Sequence, residues 1–218
     1  PTRRQSAIAH RKGLAARVRF ERAVEEHFLD AALEKARANI EKHGLGDVID
    51  VVEGNAMALP FPNATFDIVI NEAMLTMLPL ANKEMAVAEY FRVLKPGGVL
   101  LTHDVVVSEH NTEEAVERLR DTIQVKVTPL TESAWTDLFH RSGFSNITTI
   151  SGGMTLLSPK GLIYDEGWRR AFQIVRNALK AENRETFKRM YRTFNDPAKP
   201  MGYIAVHSRK AAAVEQSV

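Results

Sequence analysis

The sequence predicts an α/β protein with a mostly parallel sheet and flanking helices. Three observations carry this. Short runs of branched and aliphatic residues are bounded by turn residues; the segments between them, about ten to fifteen residues long, repeat apolar residues at helical spacing; and the two kinds alternate along the chain. Parallel strands need long crossovers, which are right-handed, so the alternation sets the layering.

Taken in order, Phe28, Leu29, Ala32, Leu33, Ala36 and Ile40 lie on one helical face, and Lys42-His43-Gly44 closes that helix with cations before a glycine. Residues 48–52 read as a buried strand and residues 66–70 as a second. Residues 83–94 are expected as a helix with Met85, Ala86, Tyr90 and Val93 inside. Lys95-Pro96-Gly97-Gly98 stops it, because proline cannot continue a helix and glycine permits the sharp turn. A third strand follows at 99–102, then helices at 112–120 and 132–142, with Gly143 capping the latter before a strand at 146–150. Residues 164–191 are strongly helical, with Trp168, Phe172 and Phe187 expected inward. A last strand at 202–207 is expected antiparallel, and the tail after Arg209 is expected to fray. The domain reading is one unit over 1–210, with a helical insert at about 160–195 and a tail at 211–218.

Composition fits one globular domain: 218 residues, 44% hydrophobic and 26% charged. Lys+Arg 29 against Asp+Glu 27 leaves +2, too little surplus for a nucleic-acid surface. The cations near the start, Arg3 to Arg22, read as a solvated face. With no cysteine there is no disulfide or thiolate site, and the seven histidines lack metal-ligand spacing, so no metal is expected. No apolar run is long enough to cross a membrane and no secretory signal opens the chain, so a cytoplasmic location without a membrane partner is the expectation. The chain opens at Pro1 rather than methionine, as after processing or trimming.

Two ordered motifs go beyond a generic α/β pattern. One is Glu53-Gly54-Asn55-Ala56-Met57-Ala58-Leu59-Pro60-Phe61-Pro62-Asn63-Ala64-Thr65-Phe66-Asp67-Ile68-Val69; the other is Glu89-Tyr90-Phe91-Arg92-Val93-Leu94-Lys95-Pro96-Gly97-Gly98. At this separation the pair resembles the class I S-adenosylmethionine-dependent methyltransferases, in particular their broad small-molecule group, over about residues 25–144. The resemblance implies a Rossmann-like fold, S-adenosylmethionine as cofactor and methyl transfer to a small-molecule acceptor. It places Asn55, Ala56 and Met57 beside the adenine, where most relatives carry aspartate and Asn55 keeps the acceptor without the charge. It places Asn71, Glu72 and Ala73, with Met74 and Leu75, along the methionine and methyl side. The run from Arg92 to Gly98 is read as architectural. A ribose-binding carboxylate is expected before the helix containing Phe28, with Glu25 the best match and Glu21 and Glu26 as rivals. Asn55 reads equally as a turn residue, and Glu25 as a solvated helix-start glutamate.

The resemblance has a gap. The family's first strand ends in a glycine-rich loop, where backbone approaches the cofactor closely. Ahead of Glu25 the only glycine is Gly13, and no apolar strand precedes it. The first strand is therefore expected to be absent, which would leave the sheet centre open or filled by something unexpected, such as a segment from a second copy. Truncation, divergence and rebuilding of the amino-terminal segment all remain open. The preferred local reading is helix through Ala7, Ile8, Leu14, Ala15 and Val18, then a short strand near Ala23-Val24; the alternation Arg17-Val18-Arg19-Phe20-Glu21 offers strand instead.

His103 and Asp104 are the candidate acid/base pair, needed only if the acceptor must lose a proton; a loop pair bonded to backbone is the plainer reading. Neither a GxSxG elbow nor a phosphate loop is present. Trp135, after Pro129-Leu130-Thr131, reads as a packing residue. The rival to an enzyme is a non-catalytic relic of the same fold that serves as an oligomerisation or interaction module, supported by the missing loop. A nicotinamide-dependent dehydrogenase would need the same absent glycines.

Overall fold

The three central apolar runs all become strands of one sheet. The computed structural model describes residues 6–10, 15–20, 26–110, 112–123, 125–154, 159–194 and 201–212. Its strands, in chain order, are β1 (Ser6–His10), β2 (Ala15–Phe20), β3 (Ile49–Glu53), β4 (Phe66–Glu72), β5 (Leu94–Val107), β6 (Ser145–Gly153) and β7 (Met201–Arg209), arranged β3-β2-β1-β4-β5-β7-β6. β3 pairs in parallel with β2, and β4 with β5. β7 runs antiparallel to β5 and β6, as expected.

The sheet centre departs from expectation. It is not open: the chain's own β1 fills it, antiparallel to both β2 and β4, with Ile8 opposite Arg17 on one side and Val69 on the other. The helix expected through Ala7, Ile8, Ala15 and Val18 is a pair of strands instead. The reason is tertiary. The facing edges of β3 and β4 present unpaired N–H and C=O groups, and two strands between them satisfy both edges. The short strand expected at Ala23-Val24 lies outside the described residues.

Six helices flank this sheet among the described residues: α1 (Glu26–Lys42), α2 (Leu80–Val93), α3 (Thr112–Ile123), α4 (Glu132–Arg141), α5 (Pro159–Ala178) and α6 (Ala181–Phe194). α2 and α4 cover one face. Ala86, Val87 and Tyr90 of α2 and Trp135, Leu138 and Phe139 of α4 pack on Phe66, Val69 and Leu100. A fully buried aromatic such as Trp135 stabilises by about 1.5–3 kcal/mol, and its Nε1 is satisfied by the Val105 carbonyl at 3.1 Å. On the opposite face, Leu33 and Ala36 of α1 pack against Val51, and α3 packs against Val107 and Met201. Between them that face stays open, with Ile68 38%, Leu101 37% and Ile150 69% exposed. Parallel strands are ordinarily covered on both faces.

Three local expectations change. α2 starts at Leu80, and Lys83, Ala86, Val87, Tyr90 and Val93 are its buried positions, so Met85 points out at 53% exposure. Trp168 and Phe172 also face solvent, 70% and 68% exposed, while Ala171 and Ala178 are buried positions of α5. The chain does not fray directly after Arg209: Lys210 Nζ donates to the Phe91 and Leu94 carbonyls, each at 2.7 Å, and lies 4.5 Å over the Phe91 ring.

Candidate active site

In an open α/β sheet ligands gather at the carboxyl ends of the parallel strands. The loops after β3 and β4 arrive there. After β3, Asn55 Oδ1 accepts from the Met57 amide at 2.9 Å and the Asn55 carbonyl accepts from Ala58 at 3.0 Å, a side-chain-closed turn. Asn55 is exposed, Ala56 is 2% exposed and Met57 is half-buried. After β4, Ala73 takes the left-handed conformation (φ 47), and its amide donates to the His103 carbonyl at 2.6 Å. That costs a non-glycine residue about 1 kcal/mol or more and turns Met74 and Leu75 back into the core. Ala56, Met74, Leu75 and Leu78 all belong to the main buried core, so the loops after β3 and β4 anchor on the same core although two strands separate β3 from β4 in the sheet.

The two motifs also touch. Glu89 and Arg92 of α2 form an ion pair at 2.7 Å. Glu89 Oε2 accepts from the Leu59 amide at 2.6 Å; Arg92 donates to the Leu59 carbonyl at 3.0 Å, the Phe61 carbonyl at 2.8 Å and Asn63 Oδ1 at 2.8 Å. The guanidinium pKa is raised, first by its hydrogen bond to Glu89. The second motif therefore shapes the first.

The remaining site residues divide by face. Side chains alternate along a strand, so His103 and Asp104 point to opposite sides of β5, and the structure does not bring them together. His103 is exposed and has Glu72, also exposed, opposite it on β4; its ring lies 5.8 Å from that of Tyr203. Asp104 is 2% exposed on the other face. Its Oδ2 accepts from the Thr76 amide at 3.1 Å and its Oδ1 from Val105 at 2.7 Å. Burial raises the Asp104 pKa, with those hydrogen bonds opposing. Asn71 is also fully buried: Tyr90 Oη donates to its Oδ1 at 3.4 Å, and its Nδ2 has no hydrogen-bond partner. Glu25 lies outside the described residues.

One buried cation, not evident from the motifs, also belongs to this region. Lys83 is fully buried, and its ammonium donates to the Leu78 carbonyl and Thr128 Oγ1. Burial lowers its pKa to about 8, partly offset by Asp104. Thr128 in turn donates its amide to the Thr76 carbonyl at 2.8 Å. Lys83 and Asp104 thus tie the Leu75–Met77 turn to the segment before α4. The signal was present as the interval from Lys83 to Ala86, Val87 and Tyr90, which puts the lysine on the inner face of α2.

The strand directions bear on the missing glycine loop. Because β1 runs against β4, its end at His10 lies at the amino edge of the sheet, away from Asn55. β2 ends at Phe20 opposite Glu53, so the chain reaches the carboxyl edge just ahead of the expected ribose carboxylate. One cleft, of 660 Å³, lies at the sheet edge between α1, β3 and Pro60–Pro62. A smaller one of 280 Å³ lies at the carboxyl end of β5, lined by Glu109 and Glu132. No group of His, Cys, Asp and Glu suited to a metal occurs among the described residues.

Comparison with known proteins gives a consistent result. Residues 10–102 match a family described as a methyltransferase domain. A protein of Haemophilus influenzae named only as uncharacterized is 59% identical over 179 residues, which cover 82% of this chain and 71% of that protein. A ubiquinone/menaquinone biosynthesis C-methyltransferase of Shewanella pealeana is 34% identical over 100 residues, 46% of this chain. That match spans only 38% of the Shewanella protein. Among solved structures, one described as a sarcosine dimethylglycine methyltransferase of Galdieria sulphuraria superposes with a TM-score of 0.66 at 18% identity, covering 82% of this chain and 66% of its own. A geranyl diphosphate methyltransferase in complex with S-adenosylmethionine gives 0.59 at 14% identity, covering 83% and 65%. At such identities the structural likeness bears on fold.

Proposed function

The chain belongs to the class I S-adenosylmethionine-dependent methyltransferases, and from that premise we propose that it transfers a methyl group to a small-molecule acceptor at the carboxyl edge of β3, β4 and β5. S-adenosylmethionine is the cofactor of that family. The observation that carries the reading is the placement of the Asn55–Ala58 turn and the Ala73–Leu75 segment past the carboxyl ends of β3 and β4, the loop after β3 being held from behind by Glu89 and Arg92.

The residues present fit two ends of the cofactor. Asn55 Oδ1 keeps a lone pair for the adenine amine beside its bond from Met57, with Ala56 and Met57 as apolar neighbours. The turn from Glu72 through Ala73 supplies the methionine side, with Asn71 fixed beneath it by Tyr90. Glu25 is the proposed ribose ligand. The cofactor supplies an activated methyl on a sulfonium, so the chain's task is to align it with the acceptor and exclude water. His103, exposed beside Glu72, is the proposed proton acceptor where the substrate must lose one. Asp104 instead fixes the Leu75–Met77 turn. A cytoplasmic location and a homodimer belong to the same proposal.

One observation favours a second reading, a non-catalytic module of the same fold. The antiparallel β1 ends at the wrong edge to present a glycine-rich cradle to the cofactor. Calorimetric titration of the chain with S-adenosylhomocysteine separates the two. Micromolar binding that weakens in Asn55→Ala supports methyl transfer; absence of binding at millimolar ligand supports the module.

A further inference from the structure

The insert before the last strand leaves an unusual face uncovered. α5 is broken at Gly167, whose φ of 72 and ψ of 156 are not helical, so the stretch that follows starts afresh at Trp168. Helical spacing then places Trp168, Phe172, Val175 and Leu179 within an arc of about 60°. All four face solvent, at 70%, 68%, 41% and 62% exposure. Beside this stripe Ala171 and Ala178 are buried, so the helix has one apolar face used inside the protein and a second one used by nothing among the described residues.

The surroundings of the stripe are strongly basic. From Gly167 to Phe194 the sequence holds eight Lys or Arg and two Glu, a surplus of six cations in a chain whose total is +2. Arg169, Arg176 and Lys180 follow the stripe along one flank, and the Arg169 guanidinium lies 5.7 Å from the Trp168 ring. Aromatic and aliphatic side chains in a row, with cations along the flank and no acidic residue among them, match an interfacial helix lying in the headgroup region. α6 packs on α3 beyond the carboxyl end of β5, joined by a Thr122–Thr193 hydroxyl bond of 2.8 Å, which holds the hairpin on the ligand side of the sheet.

We propose that the α5–α6 hairpin docks this protein on an anionic lipid surface, with Trp168, Phe172, Val175 and Leu179 entering the headgroup boundary. A second copy is a poorer occupant, since a symmetric dimer through this patch would set its cations against themselves. The lack of a spanning segment argued against a membrane partner; a helix that lies on a bilayer needs no such segment. The inference does not depend on methyl transfer.

The chain reports on this directly. Of its two tryptophans, Trp135 is fully buried and Trp168 exposed, so a change in emission on binding arises from Trp168. Vesicles of phosphatidylcholine with one quarter phosphatidylglycerol should sediment the protein and shift its emission to the blue; phosphatidylcholine alone should not. Trp168→Ala with Phe172→Ala should weaken vesicle partition about tenfold or more, as should Arg169→Glu with Arg176→Glu, and raised salt should act likewise. Both pairs are at exposed positions, and unchanged far-ultraviolet circular dichroism checks that they fold. Failure to sediment with anionic vesicles, or partition indifferent to both pairs, overturns the proposal. So does a blue shift that grows with protein concentration without lipid, the mark of a second copy, or tighter binding to a nucleic-acid oligomer with no emission change.

Discussion

Arg92 Nη2 donates to the Leu59 carbonyl while Glu89, its ion-pair partner, accepts from the Leu59 amide, so one residue of the first motif is held at both backbone groups by the second. Two further Arg92 bonds, to Phe61 and Asn63, extend the hold along the proline-containing loop. Ala64 and Thr65 then donate to the carbonyls of Arg92 and Val93. The loop after β3 has its shape because the end of α2 supplies the partners its backbone lacks.

It follows that Arg92→Lys should behave nearly as badly as Arg92→Met, because an ammonium cannot reproduce the planar fork. Each should lower stability by about 1–3 kcal/mol, the usual scale for charge-assisted bonds to buried backbone, in urea unfolding. A lysine variant as stable as the parent would show that charge alone matters.

Lys83 sets a pH dependence. Its folded pKa is lowered from 10.5 to about 8, so between those values the unfolded chain binds more protons than the folded one. Stability contributed by this group therefore rises with pH over that window, by at most about 3 kcal/mol. Lys83→Met should flatten that rise, and Thr128 Oγ1 can still donate to the Leu78 carbonyl in its absence. Denaturation midpoints at pH 7.5, 8.5 and 9.5 for parent and variant test this; parallel curves would remove Lys83 as the cause.

Two neighbouring glycines should respond in opposite ways. A Cβ on Gly202 would lie 2.2 Å from the Gly152 carbonyl oxygen across the β6–β7 pair, a backbone clash, whereas one on Gly153 meets nothing within 4 Å. Gly202→Ala should destabilise by about 1–3 kcal/mol and Gly153→Ala by less than about 0.5 kcal/mol. Thermal melting of the two variants side by side gives the comparison.

Asn55 has two roles, a turn bond and a proposed ligand contact, both carried by its side-chain oxygen. Asn55→Ala removes both the turn bond to Met57 and the proposed adenine acceptor, and should weaken S-adenosylhomocysteine binding by about 1–2 kcal/mol. Asn55→Asp keeps an oxygen in both places and should bind at least as tightly as the parent. Equal loss in the two variants, measured by calorimetry, would mean that an acceptor oxygen at this position is not what the ligand needs.

Local chemistry was enough for much of this protein. The strands expected at 48–52, 66–70 and 99–102, which fall on β3, β4 and β5, and the helices between them follow from periodicity and punctuation, because each element's pattern matches its place in the sheet. Asn55 as a turn former and Trp135 as a packing residue were equally legible, since a carboxamide two residues before an amide and a tryptophan on an apolar helix face act locally. The faces were harder. His103 and Asp104 look like a pair in sequence, yet the pleat sends one to solvent beside Tyr203 and the other to Thr76. Lys83 joins Leu78 to Thr128 across fifty residues, and no window of sequence contains such a bond. Met85, Trp168 and Phe172 are apolar residues whose helices happened to use another face. The amino-terminal segment shows the limit most clearly: Ala7, Ile8 and Val18 fit a helix by spacing, but the open edges of β3 and β4 require strands. Periodicity determines what an element is able to be; the unsatisfied backbone and buried area of its neighbours decide what it becomes, and only the folded chain brings those neighbours together.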